Sequence, residues 1–153
     1  MSEKYESASL ILKLYDLRRE ETMRKARDWF VTFMPESAKD ITDVFMGPNS
    51  PHFRMVTTYW DMAASFVNNG AIDEQMFNDA NLEHVAVFAK VEPFIEELRS
   101  IYSSADYLKN LEQLVMRRPG AKELMAKIRE RFKNMLAARE AASRKIQEAA
   151  ANE

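Results

Sequence analysis

Residues that interrupt helices are scarce in this chain: three glycines and five prolines among 153 residues. They fall at Pro35, in the run "GPNSP" from Gly47 to Pro51, at Gly70, at Pro93 and at the Pro119-Gly120 pair. Between these points residues favouring helix dominate, and no segment sustains period-two alternation. The sequence therefore predicts an all-α chain, an irregular bundle of about six helices with long first and last members. Its length fits a single domain over 1–153, with residues from about 147 onward frayed.

Hydrophobic residues make up 46% of the chain and charged residues 30%. That balance fits a soluble folded protein, and no apolar run approaches the roughly 20 residues of a membrane span. The opening "MSEKYESASLILKLYD" has no export-signal pattern, which points to the cytoplasm. Cysteine is absent, which removes disulfides, thiolate metal sites and cysteine nucleophiles together.

A first helix is expected from about Ser7 to Phe33, burying Leu12, Tyr15, Thr22, Ala26, Trp29 and Phe33, with Arg19 the polar member of the stripe. A short helix from about Ser37 to Met46 should close at Gly47 through a left-handed cap. From Pro51, 100° steps place Met55, Val56, Tyr59, Trp60, Met62, Ala63, Phe66 and Val67 inward, and Thr57, Asp61, Ser65 and Asn68 outward. "VNNG" then ends that helix with Gly70 at positive φ, and Asp73 caps the next. A longer helix over about Asn81 to Ser103 should kink near Glu92 because of Pro93, and another should run from about Ala105, capped by Ser104, to Arg117. The last helix, about Ala121 to Ala149, carries Met125, Ile128, Phe132, Met135, Arg139, Ala142, Ile146 and Ala149 in alternating three- and four-residue steps, the pattern of a coiled-coil seam.

Chemistry-bearing motifs are sparse. A di-iron bundle needs Glu three residues before His, but Asn49 and Asn81 stand there ahead of His52 and His84. Metalloprotease, Walker, nucleophile-elbow and EF-hand patterns are absent too, so no catalytic residue, cofactor or metal site is predicted. Asp73, Glu74, Asp79 and Glu83 read as helix-start acids. Asp61, Ser65, Asn68, Asp73 and His84 are the candidate ligand-binding residues, because a polar stripe between helices can line a small pocket. The excess of bases from Lys109 to Lys145 suggests contact with an anion through Arg129 and Lys133. Against nucleic acid stand the net charge of -2 and a last helix whose one aromatic residue, Phe132, lies in the seam.

The stretch "YWDMAASFVNNGAIDEQMFNDANLEHVAVF", followed by Pro93 and Phe94, resembles an uncharacterised bacterial all-helical family, a domain of unknown function. The likeness implies a helical bacterial protein and carries no activity, ligand or functional residue; several members are expected to have an N-terminal membrane anchor, whereas this sequence starts with its amphipathic helix. The functional expectation is therefore a small interaction protein, a homo-oligomer such as a dimer. Its oligomerisation residues are Met125, Ile128, Phe132, Met135, Arg139, Ala142 and Ile146, with the last helix paired to the first within the chain or across the dimer.

Overall fold

The computed structural model describes residues 3–152, whose regular elements are all helices, with no strand among them. Met1, Ser2 and Glu153, the ends of the expected single domain, lie outside the described residues. The expected first helix is divided into α1 (Glu3–Arg18) and α2 (Glu21–Thr32). Neither glycine nor proline makes the break. The side chain of Glu20 accepts from the amides of Thr22 at 3.0 Å and Met23 at 2.9 Å, capping a new helix inside the old pattern. A break resets helical phase, so one stripe cannot run through both halves. Leu14, Met23, Ala26 and Phe30 are buried, whereas Leu12 and Tyr15, expected inside, are exposed.

Helix α3 (Ala38–Met46) follows, its Ser37 hydroxyl accepting from the Asp40 amide at 3.1 Å. Gly47 has φ of -103°, so the expected left-handed cap is not used. Room is what glycine supplies there: a Cβ would stand 3.1 Å from the Asp43 carbonyl oxygen. Helix α4 (Ser50–Asn68) is the centre of the bundle, held between α2 and α8. Contact on two sides turns the expected inward arc. Phe53, Thr57 and Ala64 join Val56, Tyr59, Trp60, Ala63 and Val67 in the interior, while Met55, Met62 and Phe66 are exposed. Thr57 is buried without loss because its hydroxyl donates to the Phe53 carbonyl at 2.9 Å.

Gly70, at φ of +80°, turns the chain as expected, and α5 (Glu74–Ala80) begins where the Asp73 carboxylate accepts from the Met76 amide at 2.8 Å. Helix α6 (Glu83–Val91) is buried nearly all round. Pro93 then tightens the chain into a 3-10 turn, Glu92–Phe94, before α7 (Ile95–Ile101). The following helix, α8 (Lys109–Met116), starts later than the cap at Ser104 would place it. Instead the chain passes through two left-handed residues, Ser103 (φ 50°) and Leu108 (φ 54°), and the Leu108 side chain is drawn into the core. Helix α9 (Ala121–Ala151) leaves Gly120, itself at φ of +65°, and runs about 46 Å at 1.5 Å per residue. Ala121, Met125 and Ile128 bury its first third, where it packs on α6 and α8; from 137 to 151 every residue is exposed.

Candidate functional site

The corner between α4 and α5 is a brace made of polar side chains. Asp61 Oδ1 accepts from the Leu111 amide at 2.9 Å, and its Oδ2 accepts from Asn110 Nδ2 at 3.2 Å. A carboxylate from α4 thereby satisfies a free amide in the first turn of α8, where the helix dipole also favours negative charge. Asn68 donates to the Asn110 carbonyl at 3.0 Å and accepts from Arg117 at 2.6 Å, and Arg117 also reaches Glu74 at 2.6 Å. The Asp73 amide donates to the Ser7 hydroxyl at 2.8 Å, tying α1 to this corner. Ser65 turns to its own helix, donating to the Met62 carbonyl at 2.7 Å. Asp61 and Asn68 thus join α4 to α8 through the shared Asn110, while Asp73 caps α5 and ties it to α1.

His84 stands apart from them. It is 1% exposed, with ring centroids 5.0 Å from Phe77 and 5.8 Å from Trp60. Neither of its ring nitrogens has a hydrogen-bond partner among the described residues, and burial pushes its pKa down to about 3. It is a neutral imidazole in an apolar setting. His52, at the start of α4, faces Trp29 with centroids 6.1 Å apart.

The acids expected at helix starts are likewise engaged one by one. Glu83 receives Arg27 Nε at 2.9 Å and Arg18 Nη1 at 3.4 Å, beside Tyr59, whose hydroxyl donates to the Leu14 carbonyl and whose pKa burial raises to about 12. Glu74 pairs with Arg117, Asp73 caps α5 and Asp79 is exposed. Among the described residues no three of His, Asp and Glu converge as metal ligands do.

If the bond from Asp61 fixes the start of α8, Asp61→Ala should lower the unfolding free energy by about 1–2 kcal/mol, and Asp61→Asn by less, because an amide oxygen still accepts. Urea denaturation of the three proteins checks this. Equal midpoints would mean that α8 is positioned by its apolar face alone.

A second feature was not picked out from sequence. Lys90, on α6, is 3% exposed, and its ammonium donates to the carbonyls of Phe30 at 2.6 Å and Val31 at 3.1 Å, the last turn of α2. It also lies 4.3 Å from the ring centroid of Phe132. A cleft of about 690 Å³ opens beside it, between α9, the end of α6 and the segment after α2. The signal was present in "VAVFAKV": a lysine in a helix that is apolar on every side has no solvated face to occupy.

A family model described as a domain of unknown function, DUF4760, matches residues 5–118. The chain belongs to that family. No curated protein and no solved structure matches it. The family region takes in α1 through α8, including the polar brace, His84 and Lys90, and stops before α9. No helix among the described residues is long and apolar enough to cross a membrane.

The oligomerisation residues expected on α9 divide into two groups. Met125 and Ile128 are core of the same chain, and Phe132 and Met135 are half-buried. Arg139, Ala142 and Ile146 are exposed, Ile146 by 71%. The stripe that packs α9 against the body therefore continues, in the same three- and four-residue steps, past the last residue the body covers.

Proposed function

We propose that this protein is a self-associating interaction module, a homodimer in which the distal half of α9 of one copy packs in coiled-coil fashion on the outer face of α1 of the other. The observation that carries the reading is where the exposed apolar side chains lie. Among the described residues seven large hydrophobic side chains are at least half exposed, and all but Met46 and Ile101 are on α1 or distal α9: Tyr5, Leu12, Tyr15, Leu17 and Ile146. Leu12 and Tyr15, spaced three apart, are followed four residues on by Arg19 in the turn that closes α1; Arg139, Ala142 and Ile146 have the same steps. Segment lengths agree as well, α1 being about 24 Å long and residues 137–151 about 22 Å. The single polar residue in each stripe, Arg19 or Arg139, fixes register at some loss of affinity. A reciprocal exchange repeats the contact twice about a two-fold axis. The alternative of a ligand held between Asp61 and His84 has less support, because one is bonded to α8 and the other is enclosed by Trp60 and Phe77.

Light scattering on the full chain and on a chain ending at Leu136 tests the proposal. The shortened chain keeps Met125, Ile128 and Phe132, so its core is intact. The expected result is a full-length dimer and a folded, shortened monomer, with Leu12→Asp, Tyr15→Asp giving a monomer of full length. A full-length chain that remains monomeric at the highest attainable concentration removes the reading.

A further inference from the structure

We infer that the cleft between α6 and α9 binds a small amphipathic monoanion, an organic carboxylate whose acid group meets Lys133 and Lys90 and whose apolar part lies against Met34, Phe94 and Leu136. This site adjoins the proposed dimer contact, sharing Ala137 and Glu140 of α9 with it, but does not depend on it.

The volume, about 690 Å³, is within the usual range of roughly 300–1,000 Å³ for small-molecule sites. Its walls combine apolar side chains from three places, Met34 and Pro35 after α2, Pro93 and Phe94 from the 3-10 turn, and Leu136 and Ala137 from α9, with basic ones from α6 and α9. The charges are not equivalent. Arg129 is committed, donating to the Ala89 carbonyl at 2.8 Å and pairing with Glu92 at 3.6 Å, so it frames the cleft. Glu140 pairs with Arg144 at 3.6 Å. Lys133 has no ion pair among the described residues, and no carboxylate of those residues stands within ion-pair distance of Lys90. Lys90 is held by two carbonyls and two aromatic rings, all uncharged partners. Among the described residues these two cations thus lack a counter-ion, and of the two acids that line the cleft Glu36 has no ion pair there. The balance is a single positive charge, which suits a monoanion better than a phosphate dianion.

Burial also pushes the Lys90 pKa down to about 7. The charged groups about the cleft are Glu36 from the segment after α2, Glu92 from the 3-10 turn, and Arg129, Lys133 and Glu140 from α9. Lys90 lies among them, and its own charge is lost as the pH rises through about 7. A carboxylate favours its protonated form, so binding above neutrality takes up a proton and weakens as pH rises.

The test is isothermal titration of the full-length protein with decanoate at pH 6 and pH 9, alongside decanol and inorganic phosphate. We expect saturable binding of decanoate at pH 6, weakened about tenfold or more at pH 9 and by a similar factor in Lys133→Ala, whose exposed side chain is not needed for folding. Leu136→Asp, with thermal unfolding as a check on the fold, should abolish it. Absence of heat with decanoate, equal affinity for decanol, or equal affinity in Lys133→Ala would each overturn the inference. Binding of phosphate in preference to decanoate would overturn it too, by assigning the site to charge alone.

Discussion

Replacing His84 with leucine should stabilise the domain, and by more at pH 4 than at pH 7. The folded protein holds this imidazole neutral because burial pushes its pKa down to about 3, with the charges of Arg118 and Arg18 acting in the same direction. In the unfolded chain it titrates near its ordinary value of about 6.5. Between those two values the unfolded state binds a proton that the folded state refuses. Stability therefore falls as the pH drops through about 6.5 toward about 3, and above that window this group has no further effect. At 1.36 kcal/mol per pH unit the full loss is on the order of 5 kcal/mol. Leucine removes the titration. It also removes two buried ring nitrogens that lack partners among the described residues, and replacing such groups with an apolar side chain of similar size is neutral or favourable at any pH. Urea midpoints at pH 7 and pH 4 for both proteins decide the matter: an acid-side decline equal in wild type and His84→Leu would assign the loss to other groups.

The second large effect is expected at Trp60. It is 1% exposed and among the largest side chains in the interior, with the rings of Tyr59, Phe77 and His84 at 4.9, 6.3 and 5.8 Å and the Arg18 guanidinium 5.1 Å from its own ring. These partners come from α1, α4, α5 and α6, so no single helix can shift to fill the space left by truncation. Trp60→Ala should lower stability by about 3–5 kcal/mol, a large part of the roughly 5–15 kcal/mol typical of a folded domain. Trp60→Phe keeps most of the apolar volume and should lose much less. Chemical denaturation measures both, and a loss below about 1 kcal/mol in the alanine variant would show that the four helices repack freely.

Much of the architecture was legible because it rests on local chemistry. Asp73 and Ser37 cap helices where their side chains reach free amides, Gly70 takes positive φ, and Pro93 breaks the helix beside Glu92. Where the fold departs from expectation, one cause is local and the others are tertiary. Glu20 ends one helix and begins another by a bond that an internal glutamate in a good helical stretch does not announce. The inner face of α4 was misjudged because a helix enclosed on two sides buries more than one arc, so Thr57 is inside and Met62 outside. Asp61, Asn68 and Asp73 read from sequence as candidate ligand-binding residues, whereas their partners in the fold, Leu111, Asn110, Arg117 and Ser7, lie 42 to 66 positions away in the chain. Spacing within one helix cannot reveal such pairs. Lys90 was missed for the opposite reason, since its surroundings read as plain core.

Leu108 places contrary demands on one position. Its backbone, at φ of 54°, is of the kind glycine adopts freely and other residues enter at a cost of about 1 kcal/mol or more. Its side chain, 4% exposed, is one the core needs. Glycine would relax the turn and leave a hole, whereas any branched or bulky alternative would fill the hole and tighten the strain. No single substitution improves both, so the site is locally frustrated. That frustration lies at the entrance to α8, where the Asp61 carboxylate holds the first turn closed. Opening there releases the backbone strain at Ser103 and Leu108 together, so strain offsets part of the cost of opening a segment otherwise held by the Arg99 Nε bond to the Tyr107 carbonyl at 3.1 Å.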